Sequence, residues 1–245
     1  MKKLILHIAR KQFRVITRGG LFRFSLLFVC IVILGLQLFF QGDYFKLSLT
    51  GVSAMESFIP YENQYLYVII ETFLLFFLIC SFGSAERKLD SMAAIYSRPE
   101  SNGELLGGYF MAFVASALLG AFVVCVAGMF VHVFFSLTPF AFLPYLFYLF
   151  TLTFPAFVFY TGLTFLVLVV VKEQFLTLLL VVAVFFLNLR YADGVAGGAF
   201  DPLGIFLPNA FSNIMGHPDV LPYLVQRAGW FCVGVGCLGG SYPSF

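Results

Sequence analysis

The apolar residues of this chain gather into six long runs. Each approaches or exceeds the roughly 20 helical residues needed to cross a bilayer core of about 30 Å. They extend from about Phe22 to Phe40, Gln64 to Phe82, Tyr109 to Val131, Leu143 to Val171, Phe175 to Leu189 and Leu224 to Leu238. The pattern predicts an all-α integral membrane protein with six transmembrane helices in one domain over residues 1–245. The fourth run is long enough to tilt or break, and Pro155 sits near its middle. The fifth and sixth are short, as re-entrant segments or spans held by their neighbours are. The apolar run from Phe24 to Phe40 is too long for a cleavable signal and no small-residue cleavage site follows it, so it is expected to stay as the first span.

Ahead of that run the pattern changes. On a wheel of about 100° per residue, Leu4, Ile5, Ile8, Ala9, Phe13, Val15 and Ile16 fall on one half, and His7, Arg10, Lys11, Arg14 and Arg18 on the opposite arc. Residues 1–20 therefore predict an interfacial helix, its apolar face in the headgroup boundary and its basic face on anionic lipid, with Gly19 and Gly20 turning the chain into the membrane.

Composition agrees: the 245 residues are 61% hydrophobic and 11% charged, with a mean hydropathy of +0.99, whereas soluble domains carry roughly a quarter charged residues. Thirty-four Phe and ten Pro suit helices facing lipid, where kinks are re-satisfied by neighbouring helices. The net charge of +2 matters less than its distribution. Lys2, Lys3, Arg10, Lys11, Arg14, Arg18 and Arg23 precede or open the first span, Arg87, Lys88 and Arg98 follow the second, and Lys172 follows the fourth. With the N-terminus in the cytoplasm, eleven basic residues lie inside against three outside, Lys46, Arg190 and Arg227, which is the orientation that retention of Lys and Arg selects. The extracytoplasmic segments are then Gly42 to Asn63 and 190–223. The second is a cap rich in Gly and Pro, with turn signals at Asp201-Pro202-Leu203-Gly204 and His217-Pro218-Asp219.

Several chemistries lack their residues. No Gly-Lys dipeptide occurs, so there is no P-loop for ATP. His7, His132 and His217 are isolated from one another, and no Gly-x-Ser-x-Gly elbow is present. The five cysteines, Cys30, Cys80, Cys125, Cys232 and Cys237, form no Cys-x-x-Cys pair and read as small core residues rather than metal ligands. Gly234-Val-Gly236-Cys-Leu-Gly239 matches a dinucleotide fingerprint in letters only, because it lies in an apolar run with no strand before it; close helix packing is the better reading. One charge sits inside a run: Glu71 in the second span, read as about two turns in from the outer end. A charged side chain near the bilayer centre costs roughly 2.5 to 3.5 kcal/mol, so it must face a partner or water. It is either a group on a substrate or proton path or a protonated contact between helices.

The cytoplasmic connector 83–108 is the most informative stretch. Charges alternate through Glu86-Arg87-Lys88-Leu-Asp90, Leu89, Met92 and Ile95 to Tyr96 mark an amphipathic stripe, and Arg98-Pro99 ends it. Ser101 with Glu104 forms a capping box for the next helix. An amphipathic helix ringed by charge between two spans suits contact with a cytoplasmic protein.

This connector, with its Glu-Arg, amphipathic turn, Pro, then Glu-Leu-Leu and a Gly leading into a span, resembles that of the ABC-2 type transporter permeases. The resemblance extends to the Ala9-Arg10-Lys11-Gln-Phe13-Arg14 elbow, to six spans with both ends inside, and to Gln226-Arg227 before a Gly-rich last span. It implies the membrane-spanning subunit of an ABC exporter, working as a homo- or heterodimer in a bacterial cytoplasmic membrane. It implies no catalytic residues or cofactor in this chain, and ATP bound by a separate cytoplasmic P-loop ATPase subunit. The connector becomes a coupling helix, and Glu86, Arg87, Asp90 and Arg98 become the candidate ATPase contacts. Two features depart from the pattern: Tyr109 stands after the connector's last glycine, where the family usually has a lysine, and no basic residue closes the last span, as expected of a truncated or frame-shifted end. The rival readings are an ion-coupled secondary carrier using Glu71 and an intramembrane enzyme, the latter without a convergent catalytic set.

Overall fold

The computed structural model describes residues 2–41, 58–90, 102–135, 139–191, 200–204 and 220–241, and every element among them is helical. In chain order these are α1 (Lys2–Arg18), α2 (Gly20–Gln41), α3 (Phe58–Asp90), α4 (Asn102–Phe135), α5 (Phe142–Tyr148), a π-helical turn (Leu149–Thr153), α6 (Phe154–Val171), α7 (Gln174–Tyr191) and α8 (Val220–Ser241). Five stretches are long and apolar enough to cross a membrane: Gly20–Leu38, Ile59–Ser81, Gly103–Phe135, Phe142–Val171 and Gln174–Tyr191. The protein is thus a multi-pass helical membrane protein by length and composition. The sixth predicted span is a full 22-residue helix, α8, but Pro222, Gln226, Arg227 and its glycines leave it outside that set.

The N-terminal segment folds as its periodicity predicts, but its apolar stripe goes elsewhere. Gly19 closes α1 by donating its N–H to the carbonyls of Val15 and Ile16 at 3.1 and 3.0 Å, and α2 begins at once. Ile8, Ala9 and Ile16 are buried because α1 lies along the start of α4. The approach is close: a Cβ on Gly108 would stand 2.5 Å from Ile8 Cγ2. Only the flanks of the stripe, Leu6 and Val15, stay exposed beside the basic arc of His7, Arg10, Lys11, Arg14 and Arg18. α1 is therefore pinned to its own bundle at Gly108, beside the buried Tyr109. Gly108→Val should release α1, at a cost of about 1 to 3 kcal/mol, and appear as faster proteolysis near Arg10 and Lys11 with the spans intact.

The long fourth run does not break but stays helical from Phe142 to Val171, with a π turn at Leu149–Thr153. Pro155 occupies the first turn of α6, where its missing N–H would leave a carbonyl one turn earlier without its helical donor. The π turn immediately before it widens the helix there, a usual answer to such a defect. Thr151 Oγ1 donates to Phe147 O at 2.7 Å within the same stretch. Lys172 then ends α6 in the left-handed region at φ 61°.

α3 is the central helix, packed on α2, α4, α6 and α7. It starts six residues before the predicted Gln64, because its first turns carry Asn63 and Gln64 as buried polar groups. It also runs past Gly83 without interruption to Asp90, so the turn of Glu86, Arg87 and Asp90 belongs to α3 and is not the start of a separate short helix. A lone glycine costs only about 1 kcal/mol in a helix; the Ala-Glu-Arg-Lys-Leu run that follows is good helix. Outward faces carry Phe24, Ile31, Phe130, Phe134, Leu143, Phe150 and Phe175, all well exposed, as suits a lipid solvent that is itself as apolar as leucine. Of the cysteines, Cys80 and Cys125 are buried as read, Cys30 and Cys237 are half-buried, and Cys232 is exposed on α8; none is in a disulfide.

Candidate functional site

The span of α3 extends from Ile59 to Ser81, which puts Glu71 at its midpoint rather than two turns from one end. The side chain is 2% exposed, and its Oε2 has no hydrogen-bond partner. Three further buried polar atoms share that condition among the described residues: Gln64 Nε2, Thr72 Oγ1 and Thr161 Oγ1. All four lie on α3 or α6. An unsatisfied buried polar atom costs about 1 to 3 kcal/mol, so four on one helix pair are a feature of that seam.

Thr153 Oγ1 donates to Gln64 Oε1 at 2.8 Å across the seam, Tyr67 meets Phe157 edge-on at 5.8 Å, and Phe76 meets Tyr160 at 5.7 Å. The pairs advance together along both chains, so α3 and α6 run parallel. At about 100° per residue, Glu71 falls about 40° from Tyr67, whose hydroxyl reaches α4, and Thr72 about 40° from Phe76, which meets α6 and α7. Thr72 and Thr161 each lie eight residues beyond the bonded pair, about 12 Å further along their helices.

The polar groups flanking the seam at the end where α3 begins are satisfied. Asn63 Nδ2 donates to Gln37 Oε1 at 3.0 Å and Gln37 Nε2 to Gly128 O at 3.2 Å, tying α2, α3 and α4. Tyr67 donates to Ala117 O at 2.8 Å. His132 Nδ1 and the Tyr145 hydroxyl share a hydrogen bond of 2.9 Å.

A second polar constellation joins the turn at 200–204 to α8. Arg227, counted in the sequence as an external charge, is 2% exposed within α8. Its guanidinium donates to Pro202 O at 3.0 Å, to Asp201 O, and to Gln226 Oε1 at 3.1 and 2.6 Å. It lies over the Tyr223 ring at 5.7 Å, and Tyr223 in turn bonds Thr151 of the π turn at 3.0 Å. The predicted turn at Asp201–Gly204 forms, with Gly204 N donating to Asp201 Oδ1 at 2.8 Å. It is sunk into the bundle, however, with Asp201 and Leu203 buried.

Of the sequence-predicted site residues, Glu86, Arg87 and Asp90 ride the extended end of α3, with side chains outside the described set. Arg98 lies wholly outside the described residues, as does most of 190–223. Glu104 is buried in the first turn of α4, where the capping-box reading puts the start of that helix. Besides Glu71, the structure buries Gln64, Thr72, Thr153 and Thr161, which sequence reasoning did not single out. Their signal was there, as polar residues inside apolar runs. Among the described residues no cluster of His, Cys, Asp and Glu has the grouping to hold a metal ion. Gly234 packs against α6 as the helix-packing reading requires, while Gly236 and Gly239 face open space. No family model matches the chain, and no curated protein matches it in sequence.

Proposed function

We propose that this chain is the permease subunit of an ATP-binding cassette exporter of the ABC-2 type. It has six spans with both ends in the cytoplasm, works as a dimer, and is driven by a separate P-loop ATPase docked beneath the α3–α4 connector. The observation that supports this reading best is the length of α3. The helix continues nine residues beyond its apolar span as a charged rod carrying Glu86, Arg87 and Asp90, about 13 Å of unbroken helix. A lever of that kind passes a push at its tip into the bundle without bending at a loop, and α3 touches α2, α4, α6 and α7. The basic helix α1 braces α4 at the same end. Closure of the ATPase on ATP would rock the two permease halves through these levers, while ATP chemistry stays in the partner.

The test is co-purification with the products of neighbouring genes. A P-loop ATPase should accompany the chain, and the triple reversal Glu86→Lys, Arg87→Glu, Asp90→Lys should cut its recovery by about ten-fold or more with membrane insertion unchanged. Full retention of the ATPase by that variant removes the docking reading. The unpartnered Glu71 favours a second reading, an ion-coupled carrier. It requires transport that follows an ion gradient with no ATPase attached.

A further inference from the structure

We infer that Glu71 is the binding site for a lipophilic organic cation that enters from the lipid between α2 and α3. As a substrate site it deepens the export reading and rests on it; as a binding site it stands on this chain alone. The carboxylate is placed for a charge that the protein itself does not supply. Glu71 lies at mid-span, 2% exposed, with Oε2 unpartnered. Tyr67, one turn away, spends its hydroxyl on Ala117 O at 2.8 Å, and Cys30 of α2 is the other titratable neighbour. Among the described side chains the cations are placed elsewhere. Lys172, Arg190 and the basic residues from His7 to Arg23 are exposed, His132 bonds Tyr145, and Arg227 is held by the carbonyls of Asp201 and Pro202.

The surroundings decide what kind of cation fits. Tyr67 and Leu75, one turn either side of Glu71, pack in one core with Val29 and Ile33 of α2 and Ala117 and Ala121 of α4. A metal ion needs several oxygen ligands in place of its water, and this shell offers one carboxylate. A cation that carries its charge inside an apolar body needs no such shell. It exchanges lipid tails for apolar side chains and neutralises a carboxylate that is costly to leave alone at this depth. The way in is α2. Cys30 is half-buried while Ile31 beside it is 64% exposed, so one helix separates Glu71 from the bilayer. The hydrogen bonds that tie α2 to α3 and α4 run through Gln37, about 10 Å further along the helix than Cys30. At Cys30 the contact is apolar, and apolar contact alone holds helices weakly in lipid. Among the described residues, α2 can therefore part from α3 at that level without breaking a hydrogen bond.

The probe is tetraphenylphosphonium, and its control is tetraphenylborate, an anion of similar size and shape. Binding to the full chain in nanodiscs of neutral lipid, with no ATPase present, is measured by equilibrium dialysis as the saturable excess over empty nanodiscs. The cation should saturate, and the anion should show no saturable excess. Glu71→Gln should weaken the cation by about thirty-fold or more, as removal of one partner of a buried charge pair does. Glu71→Asp, one methylene shorter, should weaken it by about three- to ten-fold. Glu62→Gln, half-buried near the start of α3, should leave it unchanged. The proposal is overturned by the lack of saturable cation binding, by equal binding of the two ions, or by a loss in Glu62→Gln as large as that in Glu71→Gln. Parent-like affinity in Glu71→Gln overturns it too, or in Glu71→Asp should the first variant not fold. An ATPase that fails to co-purify would remove the export reading and leave this binding result standing.

Discussion

Arg227→Leu is expected to destabilise the protein by about 3 to 5 kcal/mol, the cost of removing one partner from a buried charged network. The guanidinium satisfies the backbone carbonyls of Asp201 and Pro202 together with Gln226 Oε1. Leucine would leave both carbonyls buried with that donor gone, at about 1 to 3 kcal/mol each. Arg227→Lys keeps the charge, but one ammonium cannot reproduce the planar fork that spans two carbonyls and an amide, so about half the loss should remain. Gly204 is part of the same lock. It sits at φ +75°, and a Cβ there would stand 2.8 Å from Arg227 Nη1 and 2.7 Å from Leu152 Cδ1. Unfolding in bicelles, combined with hydrogen exchange at the Gly204 amide, measures the effect. An Arg227→Leu protein as stable as the parent, with Gly204 still protected, would falsify the role of the guanidinium as the clasp of this turn.

Arg227 also shows where a sequence stops being informative. Counting Lys and Arg treats every cation as a solvated flag for one side of the membrane, and most here behave so: Arg10, Lys11, Arg14, Arg18 and Arg23 are exposed at the α1 end. A guanidinium carrying five N–H donors can equally be buried if carbonyls converge on it. That convergence comes from a turn about 25 residues earlier, which no local pattern reveals. The start of α3 was misjudged for a related reason. Asn63 looks like a loop residue and Gln64 like the edge of a span, yet they are core residues whose partners, Gln37 and Thr153, come from other helices. Five of the six predicted spans were legible because lipid imposes composition residue by residue. The irregularity in the fourth run was legible because proline acts on its own backbone. The stripe of α1 was legible as a stripe, but its partner was not: the same pattern serves a headgroup layer or the small residues Gly107 and Gly108 of a neighbouring helix.

The second large effect is expected where α6 and α8 meet. In lipid there is little hydrophobic drive to hold two apolar helices together, so association depends on close packing, and small residues set how close backbones come. Gly162 and Gly234 face each other across this pair. A Cβ on Gly162 would run into the carbonyl oxygen of Gly234, and one on Gly234 would stand 2.6 Å from Phe159 Cα and 2.7 Å from the carbonyl carbon of Val158. These obstacles are backbone atoms, which cannot rotate aside, so even Gly234→Ala must push the helices apart by a few tenths of an ångström. Gly234→Val should cost about 2 to 4 kcal/mol, lost mainly as the α8 contacts with Phe154 and Phe159, whose rings meet Phe231 and Trp230 at 5.4 and 4.7 Å. Gly236→Ala and Gly239→Ala meet nothing within 4 Å and should stay within about 0.5 kcal/mol of the parent. Tryptophan fluorescence reads the outcome directly, since Trp230 is the one tryptophan of the chain. Its emission should shift in the Gly162 and Gly234 variants and hold in the other two. If all four glycines respond alike, the helices are not held by this contact, and the Arg227 clasp would be the principal tie of α8 to the bundle.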